Sequence, residues 1–258
     1  MTPLNSPRLI AVSLITLLTV SYLNADDKPS IFTPPAPDAE GFISLFNGKD
    51  LTGWAGQEGY WSVKDGAISG SETKDKSRQT FLVWQGGNVK DFELRYKFKF
   101  NAVDGKVEGN SGVQFRSKIL DPKKDPYRVG GYQADCDAGN GYTGIIYDEA
   151  GVAGGRGIMS KRGEKTTYTA DGDPKKPQTE KLPMSDAELK KSIKTGDWND
   201  VVLIAKGNHI TYQINGNTTT DLTDDSPKAL KEGVLALQLH QGFTMDIQFK
   251  DIKMKKLD

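Results

Sequence analysis

Residues 91–100 read DFELRYKFKF, and this short stretch decides the fold. Phe92, Leu94, Tyr96, Phe98 and Phe100 fall on one side of an extended chain, and Glu93, Arg95, Lys97 and Lys99 on the other. An unbroken period of two specifies a β-strand with one packed face and one wet face. Working outward, the runs Phe42 to Phe46, Trp61 to Val63, Val113 to Phe115, Val201 to Ala205, Ile210 to Ile214, Val234 to Leu239 and Met245 to Ile252 are strand-like. Glycine, asparagine and aspartate separate them. After ITYQI at 210–214, Asn215-Gly216 is a strong signal for a two-residue hairpin. Many short strands with little helical text predict an all-β fold, a two-sheet antiparallel jelly-roll sandwich.

One interval reads differently. Residues 160–196 are rich in lysine, threonine, proline and aspartate and poor in apolar side chains, as expected of an insertion. Within it, Ser185-Asp186-Ala187-Glu188 spells a capping box that opens one short helix through about Ile193. Such an insertion is either a solvated surface excursion or a rim beside a binding face.

The N-terminal text is of another kind. Arg8 precedes an uncharged run from Leu9 to Leu23, and a small residue, Ala25, stands before Asp26-Asp27. This is the order of a secretory signal peptide cleaved near Ala25, and the run is short for a membrane span. Residues 26–40 form a polar, proline-rich linker, and 41–258 form the domain. The expectation is an exported protein, periplasmic or extracellular, with no membrane span in the mature chain.

Composition narrows the chemistry. The 258 residues carry 34 Lys+Arg against 34 Asp+Glu, and removal of Arg8 with the leader leaves 33 − 34 = −1. A neutral chain lacks the basic surplus that gripping nucleic acid or an anionic membrane requires. The single cysteine, Cys136, excludes an intrachain disulfide framework and a multi-cysteine zinc site. It falls on the apolar side of its segment, where an inert buried thiol is expected. The two histidines, His209 and His240, exclude a three-histidine metal centre. Chemistry must therefore run on carboxylates, amides, arginine and at most two imidazoles.

Three segments place such groups on alternate positions. In NSGVQFRS, Gln114 and Arg116 oppose Val113 and Phe115, with Asn110 at the head. In GYQADCD, Gln133, Asp135 and Asp137 oppose Tyr132, Ala134 and Cys136. In GVLALQLHQG, Ala236, Gln238 and His240 oppose Leu235, Leu237 and Leu239. Amides, carboxylates and a guanidinium suit the hydroxyls and carbonyl of a sugar. Whether the three faces meet depends on strand order. His209, in the turn KGNHITY, reads as a surface residue. Core packing is the expectation for Trp54, Trp61 and Trp198, whereas Trp84 is as readily part-exposed. The glycine-rich GVAGGRG at 151–157 lacks the lysine and the strand-to-helix setting of a phosphate loop.

The order of segments carries a resemblance. LFNGKDLTGW, WSVKDGAISG, DFELRYKFKF, NSGVQFRS, GYQADCD, a YDE-plus-glycine segment, GDWNDVVLIAKGNHITYQINGN, and GVLALQLHQG with IQFKDIKMK together resemble the 3-keto-disaccharide hydrolase domain family. The likeness spans residues 41 to 257. It implies a concanavalin-A-like jelly roll and action on glycosides whose C3 hydroxyl is oxidised to a ketone, a substrate that a sugar 3-dehydrogenase upstream would supply. Gln133 stands where many relatives carry glutamate, and Leu239 where many carry an acid.

A C3 ketone acidifies the C2 proton, so a modest base can remove it while a donor stabilises the enolate. Expulsion of the C1 substituent and addition of water complete a net hydrolysis. The expected base is His240, oriented or replaced by Asp135. Arg116 is the expected polariser of the ketone, assisted by Gln114 and Gln133. Asn110, Tyr147 and Gln238 are expected substrate contacts. Asp148 and Glu149 are expected to supply the leaving-group acid or to ligate a divalent cation, calcium or manganese by their oxygen chemistry. The alternative is a carbohydrate-binding module that holds a glycan with the same polar face and Trp84, without turnover.

Overall fold

The computed structural model describes residues 32–173 and 175–257. The expected leader and residues 26–31 lie outside these. Among the described residues two sheets pack face to face. The larger has ten strands: β1 (Ile43–Ser44), β3 (Trp61–Lys64), β4 (Ala67–Glu72), β6 (Phe92–Asn101), β11 (Glu164–Tyr168), β12 (Gln178–Lys181), β13 (Asn199–Lys206), β14 (His209–Ile214), β15 (Asn217–Asp224) and β17 (Met245–Lys256). The smaller has seven: β2 (Trp54–Gly56), β5 (Thr80–Trp84), β7 (Asn110–Asp121), β8 (Asp125–Asp137), β9 (Ile146–Glu149), β10 (Ile158–Ser160) and β16 (Val234–Leu239). Pairing is antiparallel throughout except between β11 and β15. The all-β jelly-roll sandwich is the observed fold. No helix among the described residues is long and apolar enough to cross a membrane.

Strand β6 forms as its alternation dictates. Phe92, Leu94, Tyr96, Phe98 and Phe100 are all buried between the sheets. Burying a side chain of that size contributes about 1.5–3 kcal/mol. An exposed ion pair on the outer face, such as Lys97 with Asp200 at 3.6 Å, contributes only about 0–1 kcal/mol. The inward row therefore sets the register. From the opposite sheet Phe115 meets Phe92 edge-on at 6.0 Å and leans on Tyr132 at 5.6 Å. Asn215 and Gly216 have φ of +50° and +80° and make the expected hairpin between β14 and β15. Glycine and asparagine tolerate that left-handed region.

The interval 160–196 is only partly a loop. It adds β11 and β12 to one edge of the larger sheet, then enters α1 (Asp186–Ser192) through the capping box of Ser185 and Glu188. The tryptophans divide. Trp54 and Trp84 are buried, Trp61 is half-buried, and Trp198 is half-buried on the outer face, with Lys99 and Lys250 over its ring at 4.9 and 4.1 Å. Trp198 is thus not a core residue. Nor is Trp84 part of any exposed platform: its strand pairs with β16 inside the sheet, and its ring turns into the core.

Candidate active site

The strand order β10-β9-β8-β7-β16-β5-β2 answers the question of convergence, because the three polar segments are the adjacent strands β8, β7 and β16. Residues paired directly across an antiparallel ladder share a face. Tyr147 pairs with Gln133, Gln133 with Gln114, Gln114 with Ala236 and Ala236 with Val83, giving one row across five strands. Asp135 pairs with Gly112. A Cβ on Gly112 would lie 2.6 Å from Gln133 Cγ, so only glycine leaves room there for the amide. This face points away from the larger sheet and floors a cleft of about 780 Å³. Val107, Glu108, Tyr142, Ile158, His240 and Phe243 wall it.

A chain of amides links two acids beneath the cleft. Asn110 Nδ2 donates to Asp135 Oδ1 at 3.1 Å, and Gln133 Nε2 donates to Asp135 Oδ2 at 3.1 Å and to Gln238 Oε1 at 3.1 Å. Gln238 Nε2 donates to Glu149 Oε2 at 3.2 Å, and Gln79 Nε2 to Glu149 Oε1 at 3.2 Å. Gln114, fully buried below, donates to Gln133 and accepts from Ser117 Oγ at 2.9 Å. Every amide has a fixed orientation, so the floor is preorganised.

Both acids are held towards the neutral form. Burial pushes the Asp135 carboxyl well above the usual range; the charges of Asp137 and Glu149 add to this, against the donors Asn110 and Gln133. Burial also raises Glu149, opposed by the charges of Arg128 and His240 and by the two glutamine amides. A protonated acid in such a site can donate a proton or a hydrogen bond at neutral pH. Burial raises Tyr147 as well, and the nearby carboxylates reinforce it.

His240 stands at the end of β16, half-buried, its ring edge-on to Phe243 at 5.9 Å. Its Nδ1 contacts the Gln241 carbonyl at 2.8 Å. A carbonyl only accepts, so Nδ1 carries the hydrogen and neutral His240 offers Nε2 as a lone pair.

Two expected site residues are elsewhere. Arg116 has φ +49° and sits in a bulge where the β7–β8 register shifts between Phe115 and Lys118. The extra residue breaks the alternation. The guanidinium is consequently buried away from the cleft, donating to the carbonyls of Lys90 at 2.6 Å and Gly207 at 2.7 Å and to Asp91 at 2.8 Å. It cannot polarise a ketone in the cleft. Asp148 pairs with Tyr132 and so faces opposite to Tyr147 and Glu149. Its oxygens accept the backbone N–H groups of Ala153 at 2.7 Å and Arg156 at 3.0 Å, closing the glycine-rich loop. Asp148 and Glu149 therefore do not make a shared ligand set. Among the described residues no group of three or more His, Cys, Asp or Glu side chains is disposed to hold a metal.

Asn110, Gln133, Asp135, Tyr147, Glu149 and His240 do line one cleft, with Gln114 and Gln238 supporting them from below. Sequence reasoning missed Gln79, Arg128 and the wall residues Glu108, Tyr142 and Phe243. Gln79 stands just before β5, two residues ahead of Phe81, a period-two signal hidden by the apolar run TFLVW. His209 is the expected surface residue, paired with Asp221 at 2.9 Å. Cys136 is a buried free thiol.

Comparison with known proteins bears on this cleft. Residues 41–255 match the family described as the 3-keto-alpha-glucoside-1,2-lyase-like domain. A curated relative from Bacteroides thetaiotaomicron, a 3-keto-disaccharide hydrolase, is 24% identical over 278 residues, covering 93% of this chain and 87% of its own. Two crystal structures of candidate glycosyl hydrolases from Parabacteroides distasonis ATCC 8503 share the fold. One has a TM-score of 0.51 at 20% identity and covers 85% of this chain and 95% of its own. The other has a TM-score of 0.52 at 19% identity and covers 84% and 99%.

Proposed function

The chain belongs to the 3-keto-alpha-glucoside-1,2-lyase-like family, whose domain occupies residues 41–255, and from that premise we propose that it cleaves 3-keto-glycosides by elimination and hydration. The observation that carries the reading is the pairing of two neutral-leaning acids, Asp135 and Glu149, with a histidine whose Nε2 is open, all around one cleft.

His240 Nε2 removes the C2 proton. The electron pair moves onto the C3 oxygen, where the Asp135 hydroxyl donates a hydrogen bond to the developing enolate, the part first expected of Arg116. The enolate then re-forms the C3 carbonyl and expels the C1 oxygen, which takes the Glu149 proton as the C1–O bond breaks. Water next adds to C1 of the enone, giving a proton to the Glu149 carboxylate, while the imidazolium returns its proton to C2. Both side chains end as they began, and the net change is hydrolysis. Tyr147 and Asn110 are placed to contact sugar hydroxyls. The substrate must come from an oxidation of a secondary sugar hydroxyl, the work of a sugar 3-dehydrogenase. The N-terminal leader spelled by Arg8 and the run to Leu23 would place the reaction outside the cytoplasm.

The module reading places Trp84 on the sugar-holding face, and that ring is buried in the core. The test is turnover of a 3-keto-glucoside against the unoxidised parent by purified protein. Wild type should cleave only the keto sugar, and His240→Ala should fall about 10²-fold in kcat. Glycan binding with no turnover of any keto sugar would replace the enzyme reading with the module.

A further inference from the structure

Gln79 precedes β5, is almost fully buried, and joins the two ends of the chemistry. Its Oε1 accepts the backbone N–H of Gln241 at 3.4 Å, and its Nε2 donates to Glu149 Oε1 at 3.2 Å. A backbone N–H can only donate, so the amide cannot turn over, and Nε2 is obliged to face the carboxyl. Gln241 is also the residue whose carbonyl fixes Nδ1 of His240. One side chain thus touches the acid directly and reaches the base through a single residue.

The neighbourhood reinforces this link. The segment after β4 holds the 241–244 loop at two further points: Lys74 N–H donates to Thr244 Oγ1 at 3.1 Å, and Gly242 N–H to Ser77 Oγ. Ser77 Oγ in turn donates to Glu72 at 3.1 Å. Across the cleft Glu108 accepts Thr244 N–H at 3.2 Å. The His240 loop is therefore anchored mainly to the strand-connecting segment that carries Gln79, and Gln79 is the only one of these anchors that also contacts a cleft acid.

We propose that Gln79 is a positioning residue that sets the proton affinity of Glu149 and the tautomer of His240 together, so that acid and base are tuned as one unit. This rests on the reading of the cleft given above. As Glu149 gives up its proton, its two oxygens meet two amide donors, Gln79 and Gln238, on opposite sides. Those donors stabilise the carboxylate being formed. The other groups acting on Glu149 are the charges of Arg128 on β8 and of His240, with Asp135 and Tyr147 coupled to it from β8 and from its own strand. Of these only His240 itself contacts Gln241, and none hydrogen-bonds both Glu149 and Gln241 as Gln79 does.

Two variants separate the two roles. Gln79→Met removes both the donor and the acceptor. Gln79→Glu keeps an oxygen for Gln241 N–H but sets an acid against Glu149. Side-chain carboxyl ¹³C titration should show the Glu149 midpoint moving up by about one pH unit in Gln79→Met, the tenfold effect of an ordinary hydrogen bond to a charged group. In Gln79→Glu it should move at least as far. The high-pH limb of kcat on a 3-keto-glucoside should follow the same displacement. His240 ring ¹⁵N shifts should report loss of the single tautomer in Gln79→Met only. An unchanged Glu149 midpoint in both variants overturns the proposal, as does a change of His240 tautomer in neither. Should Gln79→Met fail to fold, the Glu149 midpoint in Gln79→Glu decides alone. If the wild type cleaves no keto sugar, the reaction reading fails, while the two titrations still judge Gln79.

Discussion

Glu149→Gln is expected to lower kcat on an unactivated 3-keto-glycoside by about 10²–10⁴-fold. Glutamine fills the same space but has no proton to deliver, so the C1 oxygen would leave as an alkoxide. A 3-keto-glycoside with a nitrophenyl leaving group needs little protonation and should lose far less. That contrast distinguishes loss of the acid from general damage to the cleft. Equal losses on both substrates would sink the assignment. The same substitution has a signature in stability. Glu149 is raised in the folded protein, chiefly by burial. Its contribution is therefore fully present below the ordinary glutamate value and is lost as pH rises through the folded value. Wild-type melting temperature should fall as pH rises from about 4, and Glu149→Gln should fall less over the same range. Asp135 acts in the same direction, so the variant retains part of the slope.

Arg156→Met should destabilise the fold by about 3–5 kcal/mol, the usual result of leaving a buried charge without its partner. Arg156 Nη1 and Nη2 grip Asp224 Oδ1 and Oδ2 at 3.0 and 2.7 Å, and both side chains are 1% exposed. Tyr168 lies under the guanidinium at 4.4 Å, and Tyr132 donates its hydroxyl to the same aspartate. Burial would raise Asp224, yet the hydrogen bonds from Arg156, Ser226 and Tyr132 outweigh it and leave the carboxyl lowered. The cluster ties the glycine-rich loop to a strand of each sheet, Tyr132 on β8 and Asp224 on β15. Urea unfolding of Arg156→Met and of Arg156→Met with Asp224→Leu measures the effect. The double variant should recover much of the loss, because no unpaired charge remains. A single variant within 1 kcal/mol of wild type would show the pair to be dispensable.

These two clusters were unequally visible in the sequence. The core strands announced themselves wherever one face was wet, as in DFELRYKFKF, because alternation is the direct imprint of a half-buried sheet. The polar floor of the cleft was legible for the same reason: Gln133, Asp135 and Gln238 keep period two against buried apolar neighbours. What alternation could not report is a break in the ladder. Arg116 was placed on the polar face by counting, and a single bulge moved it off. Asp148 was grouped with Glu149 because they are neighbours, although neighbours on a strand face opposite ways. Gln79 precedes TFLVW and Trp84 closes it, and all residues of that run are buried, so the text offers no wet face from which to count. The Arg156–Asp224 pair spans 68 residues, and neither partner sits in a pattern that names the other.

The added strands β11 and β12 have a consequence for how copies of this protein behave towards one another. Without them the larger sheet would end on β15, with the backbone of Thr220 to Asp224, now paired to β11, left uncovered. A rim of that kind offers its free N–H and C=O rows to any passing strand. As built, the rim is β12, whose residues Gln178, Thr179, Glu180 and Lys181 are all exposed. Its charges pair back onto β11, Lys181 with Glu164 at 3.2 Å and Glu180 with Lys165 at 4.0 Å. The interval that could have been a rim beside the cleft instead lies at the edge of the other sheet and covers the backbone of β15. A shortened chain lacking residues 164–181 should run as larger species on size-exclusion chromatography than the full chain does at the same concentration.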